Sequence, residues 1–177
     1  MTSGGDVIVL ERSGGTVTKY TADAQQIRQI KLSSGIKLTR VYHAIETSTG
    51  TSVLISGTYR TKNNILHTAV FEVSYEGHII KSSDLLSNFF FFEDLPSNST
   101  SYNTTTDADG NVYVPDRHYN RVLILDSRLN LRRAIQMTNY LHFLSYSQET
   151  KQLIVAPYHN SHPGEIAKRT ISIITLQ

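Results

Sequence analysis

Four short apolar runs, each entered through a cluster of turn-forming residues, constrain this chain more than any other feature. Val7-Ile8-Val9-Leu10 follows Gly4-Gly5-Asp6, and Val53-Leu54-Ile55 follows Thr49-Gly50. Val112-Tyr113-Val114 follows Asp109-Gly110-Asn111, and Leu153-Ile154-Val155 follows Glu149-Thr150-Lys151. Their starts at 7, 53, 112 and 153 are 46, 59 and 41 residues apart. A recurrence of about 40–50 residues is that of a β-propeller, in which each blade is a small antiparallel sheet. The one long spacing contains the tract from Pro96 to Thr106, where nine of 11 residues are Ser, Thr or Asn. That tract reads as a surface loop or a frayed inner strand.

Two of the units superpose almost residue by residue. Val7 to Leu10 leads into Glu11-Arg12, a Ser13-Gly14-Gly15 turn and a new run from Thr16 to Tyr20. Val112 to Pro115 leads into Asp116-Arg117, a His118-Tyr119-Asn120 turn and a new run from Arg121 to Leu125. In each, a strand ends in an acid-Arg pair, a three-residue turn follows and a second strand begins. Gln26–Leu32 and Leu131–Ile135 add a further strand to these units. Tyr42–Glu46, Ser52–Arg60, Thr68–Tyr75 and His78–Ser82 form a complete four-strand unit, with Glu76-Gly77 turning the last pair. Leu141–Tyr146, Lys151–Tyr158 and Ile171–Leu176 supply the last unit. No segment holds a helical apolar period, and Ser and Thr together number 38, so the expected fold is all-β. The expected blade units are 1–38, 39–86, 87–138 and 139–177.

Composition narrows the function. The chain has 17 Lys and Arg against 15 Asp and Glu, a net charge of +2, which excludes a basic nucleic-acid tail and an acidic docking tail but not a local patch. It has no cysteine, which excludes disulfides, thiolate metal sites and a cysteine nucleophile, and fits a cytoplasmic location. No apolar run approaches the roughly 20 residues of a bilayer helix, so no membrane is expected. Phe89 to Phe92 reads as a segment wedged between sheets or, in the alternative, as an exposed partner-docking patch.

The stretch from Asp107 to Arg117, with Asn120-Arg121-Val122 after it, resembles the NHL repeat, which runs Asp-x-x-Gly-Asn-aliphatic-Tyr-Val-x-Asp and then Asn-x-Arg-Val or Asn-Arg-Val. Gly5 to Arg12 is a weaker copy, with Glu11 for the acid and Thr16 for the Arg. Leu144-Ser145-Tyr146, with its acidic turn and Leu153-Ile154-Val155, is similar to the closing repeat of the same propellers. The resemblance implies an intracellular, non-enzymatic scaffold that recruits protein or RNA, as in tripartite-motif proteins. It also implies six blades, of which this chain would hold the C-terminal four, with open edges that invite association between copies. Asp109, Gly110, Asp116, Glu11 and Arg12 are expected to be structural parts of the blade.

Chemistry beyond binding has little to rest on. His159 and His162 have a spacing known from zinc sites but no evident third ligand. Thr105, Asp107, Asp109, Gly110 and Asp116 fit a calcium-loop frame poorly, since its last position is normally Glu. His43 and His142 lie near first strands, where propeller lactonases and amidating lyases gather metal ligands, and such a metal-dependent hydrolase or lyase is the alternative reading. No catalytic residue, metal or cofactor is expected. The five Arg between Asp116 and Arg133 make a local excess of +3, so Arg117, Arg121, Arg133, Tyr119 and His118 are the candidate contacts to a protein or RNA partner. Asn98 and Asn103 stand in glycosylation sequons, which a tract so rich in Ser, Thr and Asn produces by chance.

Overall fold

A computed structural model describes residues 6–11, 16–32, 37–60, 66–83, 103–116, 119–138, 141–157 and 171–176. Within them every regular element is a strand. β1 (Val7–Glu11), β2 (Thr16–Tyr20) and β3 (Gln26–Lys31) form one antiparallel sheet in chain order. β4 (Lys37–Glu46), β5 (Ser52–Arg60), β6 (Leu66–Ser74) and β7 (Ile79–Ser82) form the second. β8 (Thr105–Thr106), β9 (Val112–Asp116), β10 (Arg121–Leu125) and β11 (Leu131–Gln136) form the third. β12 (Leu141–Ser147), β13 (Gln152–Pro157) and β14 (Ser172–Thr175) form the fourth. Every pairing joins neighbours in sequence, so each sheet is an up-and-down meander.

One turn design recurs and fixes these registers. The carbonyls of Thr21, Thr47, Ser74, Asp107 and Asp126 each accept the N–H three residues on, at 2.8–3.2 Å. The residue that donates has positive φ each time: Ala24 (64°), Gly50 (68°), Gly77 (90°), Gly110 (81°) and Leu129 (66°). The side chain that opens the turn often caps it. Thr21 Oγ1 accepts the Gln25 N–H at 3.0 Å, and Asp107 Oδ1 the Asn111 N–H at 2.8 Å. Asp126 Oδ1 accepts the N–H groups of Arg128 and Asn130, both at 2.9 Å. This is the Asx and Ser/Thr turn chemistry that makes Asp, Ser and Thr good turn openers. Leu129 takes a left-handed backbone that costs a branched L-residue about 1–2 kcal/mol, and it is 2% exposed, so burial offsets the strain.

The turns also align the sheets. Those at 47 and 107 join the first two strands of the four-strand sheets, and those at 74 and 126 join the last two. By the same grammar β1, β2 and β3 take the second to fourth places of a blade, while β12, β13 and β14 take the first to third.

Sheets pack face to face in chain order. Between the first and second lie Val17 and Ile30 against Val41, Val53, Ile55, Phe71 and Val73. Leu54 and Val70 of the second meet Val112, Leu125 and Leu129 of the third. Tyr113 and Val122 of the third meet Leu144, Leu153 and Val155 of the fourth. Strand alternation explains how one sheet serves two neighbours, because Val53 and Leu54, or Val112 and Tyr113, point to opposite faces. Among the described residues the fourth sheet does not pack on the first.

Polar clamps complete each interface. Lys19 on β2 reaches Glu46 on β4 at 2.7 Å and Asp6 at 3.1 Å, and the Tyr75 hydroxyl donates to the same Glu46 carboxylate. That carboxylate holds the Lys19 pKa well above its usual value. Lys81 on β7 bonds Glu72 at 2.7 Å and the Ser127 carbonyl of the third sheet at 3.0 Å. Tyr113 and Tyr146 stack across the last interface at 5.5 Å, with Tyr113 Oη donating to Asp107 at 2.7 Å.

Candidate functional site

The β9–β10 hairpin carries the acid-turn-Arg pattern, and its geometry follows from register. Asp116 is the last residue of β9 and Arg121 the first of β10, and they are direct partners. Glu11 and Thr16 hold the same relation between β1 and β2. Asp116 is fully buried. Its Oδ2 accepts Arg121 Nε at 2.7 Å and its Oδ1 accepts the Tyr119 N–H at 3.1 Å, so the carboxylate ties both arms of the turn. Such a charge is tolerable in the interior only because it is paired and hydrogen-bonded.

The turn is also tied to the outer strand. The Asn120 carbonyl accepts the Met137 N–H at 2.8 Å. Gln136 Nε2 donates to the Tyr119 carbonyl at 2.9 Å and to that of Asn120 at 3.2 Å. Asn120 itself has φ 55°, a conformation Asn adopts at lower cost than most residues. On this base the Tyr119 ring stands out from the rim, 49% exposed, with the Arg121 guanidinium 4.8 Å from its centroid. The result is a fixed Arg-Tyr platform, with its cation anchored from below by a buried acid.

The candidate residues fall into three groups. Arg121 and Tyr119 come together. Arg133 on β11 pairs with Ile124 on β10, whereas Arg121 pairs with Gln136, so the two Arg side chains leave opposite faces of the sheet. Arg132 turns to Asp126 at 3.7 Å. Arg12, Arg117 and His118 lie outside the described residues, as do Phe89 to Phe92, His159 and His162. The side chains of Glu11 and His142 do too. Asp109 is exposed in its turn, and a Cβ on Gly110 would stand 3.3 Å from Ser127 Cβ, so that turn packs against the next one.

The Ser/Thr/Asn tract does more than the sequence suggests. Its last residues replace strand pairing by side-chain bonds between inner strands. Asn103 Oδ1 accepts the Leu144 N–H at 3.2 Å and its amide donates to the Leu144 carbonyl, copying a backbone pair. Thr105 Oγ1 accepts the Tyr146 N–H at 3.3 Å. On the other side Thr104 Oγ1 bonds His43 Nδ1 at 3.2 Å, and burial pushes the His43 pKa down to about 4. The only hint of this in the sequence is a run of short hydrogen-bonding side chains where an inner strand was due. The Asp107 carboxylate accepts the Asn111 N–H and side-chain amide and the Tyr113 hydroxyl, and that of Asp116 accepts Arg121 and the Tyr119 N–H. Among the described residues no three His, Asp or Glu side chains gather as metal ligands, and no helix is long and apolar enough to cross a membrane.

No protein-family profile matches the chain, and no curated protein does. Solved structures do, in 145 chains. Hydrazine synthase of Kuenenia stuttgartiensis aligns over 97% of this chain and 43% of its own, at 17% identity and a TM-score of 0.62. The chain therefore spans less than half of that neighbour's length. Virginiamycin B lyase of Staphylococcus aureus aligns over 99% and 68%, at 8% identity and a TM-score of 0.45. A gluconolactonase of Xanthomonas campestris aligns over 83% and 43%, at 11% and 0.48. From its four meander sheets, their face-to-face order and the first of these likenesses, the chain has a β-propeller fold.

Proposed function

We propose that this chain is a non-enzymatic, NHL-like propeller module of the cytoplasm that binds a protein partner through the rim of its third blade. The observation that carries this reading is the exposed Tyr119 ring held over Arg121, itself anchored on the buried Asp116. Tyr and Arg are enriched in interface hot spots, and here Asp116 and the Tyr119 ring already hold the Arg121 side chain, which lowers the ordering cost that binding would otherwise carry. RNA is the weaker occupant, since Arg121 and Arg133 leave opposite faces and form no single basic stripe. The test is quantitative affinity capture with the wild type, Tyr119→Ala and, as a control on the same blade, Arg132→Ala. Partners lost with Tyr119→Ala and kept by the control support the rim. Identical partner sets overturn it. Binding of a labelled single-stranded RNA 20-mer that weakens steeply with salt and with Arg133→Glu, at the exposed candidate on β11, would move the assignment to RNA.

The second reading, a metal-dependent propeller hydrolase or lyase, is prompted by the enzymes among the solved neighbours. Its candidate ligands are His43 and His142 near the first strands, so stoichiometric zinc or calcium in the purified chain, lost on His142→Ala, would favour it over the binding module.

A further inference from the structure

Adjacent blades meet through the same two faces each time. The face of the second blade that carries Leu54 and Val70 meets the face of the third that carries Val112 and Leu125, and all four side chains are 4% exposed or less. The fourth blade repeats the first of these faces. Ile154 holds on β13 the place of Leu54 on β5, since Ile154 pairs with Ser145 as Leu54 pairs with Ile45, one residue beyond Leu153 and Val53. Around it Phe143 pairs with Ala156 and Ile154 with Ile173, which makes one apolar surface turned away from the third blade. Phe143 is 43% exposed and Ile173 61%.

The first blade repeats the second of these faces. The strands ending in Glu11 and Asp116 place Val7 where Val112 stands and Val9 where Val114 stands. Val112 is 1% exposed, whereas Val7 is 49% and Val9 47% exposed. The two ends of the array thus carry opposite halves of one interface that the chain already forms within itself. Both halves are open. A repeat array with such ends is matched by a blade of its own kind.

We propose that a second copy of this chain docks head to tail, with the Phe143–Ile154–Ile173 face of one copy against the Val7–Val9 face of the next. The contact continues the internal blade stack and is independent of the Tyr119 rim. It is heterologous, so copies either close into a ring or extend as an array.

The test is sedimentation velocity with light scattering on the whole 177-residue chain up to about 200 µM, far above the range in which interfaces of standard size associate. The expected mass rises with concentration above the 19.9 kDa of one chain. Ile173→Lys and Val9→Lys each weaken association at least about 100-fold, because each buries an unpaired charge. Mixing the two variants restores a one-to-one complex, since each keeps one intact face. Phe143→Lys repeats the Ile173→Lys result, and circular dichroism and melting verify that all variants are folded. A monomer throughout, association that survives either Lys variant, or a mixture that forms no complex overturns the proposal. Slow maleimide labelling of an Ile173→Cys variant in a monomeric sample does so as well, because the chain's own residues then cover the face.

Discussion

Removing the Arg121 side chain is a severe test of the rim. Asp116 is 0% exposed and its carboxylate has two donors, the Arg121 guanidinium at 2.7 Å and the Tyr119 N–H at 3.1 Å. Arg121→Ala leaves a buried carboxylate with the backbone donor alone, and orphaning one member of a buried pair costs about 3–5 kcal/mol. The lower end applies here, because the Tyr119 N–H remains. For a chain of this size about 3 kcal/mol lowers the melting temperature by about 6–12 °C. Asp116→Ala should cost less. It takes one acceptor from Arg121, whose side chain is 26% exposed and still meets the Tyr119 ring, and leaves one backbone N–H without its acceptor. In the double variant Asp116→Ala/Arg121→Ala the loss should fall short of the sum of the two by more than about 1.5 kcal/mol. Urea and thermal unfolding of the four proteins give all these terms. If Arg121→Ala costs less than about 1 kcal/mol, or the two losses add, the buried pair does not hold the rim.

Other perturbations follow from single sites. Gly110→Ala forces φ 81° on a side chain whose Cβ meets Ser127 at 3.3 Å, so it should cost more than the roughly 1–2 kcal/mol of the backbone alone. Gly50→Ala at φ 68° has open space and should cost only that amount, so equal losses would deny the crowding. Lys19→Met leaves Glu46, whose side chain is 7% exposed, with the Tyr75 hydroxyl in place of a cation, and should cost about 2–3 kcal/mol in urea unfolding. Arg28→Ala breaks an exposed pair with Glu76 and a cation–π contact 5.8 Å from the Tyr75 centroid, and should lower the melting temperature by less than about 4 °C.

His43 gives a pH signature. Its pKa falls from 6.5 in the unfolded chain to about 4 in the folded one, because burial disfavours the imidazolium. Between those values the unfolded chain binds the extra proton. The stability is therefore whole above about 6.5, is lost as pH falls towards 4, and levels off below. The full loss is about 3 kcal/mol. Unfolding of His43→Gln should lack that component, and a wild-type-minus-variant difference that stays flat from pH 7 to 4 would refute it.

What the sequence announces here is whatever its local chemistry decides. The Asp116-to-Arg121 hairpin is readable to within a residue: the strand expected to end in Asp116-Arg117 ends at Asp116, and Arg121 opens the next strand as expected. β5, β7 and β10 likewise fall within a residue of their expected limits. β4 is longer than its apolar run, starting at Lys37 instead of Tyr42, because bulges at Leu38/Arg40 and Val41/His43 break the alternation that marks a strand. β8 shrinks to two residues, and the work of an inner strand passes to the side chains of Asn103, Thr104 and Thr105. No periodicity reports such bonds. The Arg residues between Asp116 and Arg133 can be counted in the sequence, and strand alternation already divides them between two faces; the pairing of β10 with β11 up to Ile124 sends Arg121 and Arg133 to opposite ones.

The direct measure of the central claim is the affinity of a purified captured partner for the wild type and for Tyr119→Ala. A hot-spot ring on a preordered base predicts at least about 2 kcal/mol, roughly 30-fold weaker binding, with an unchanged melting temperature. Affinities within twofold of each other would contradict the account.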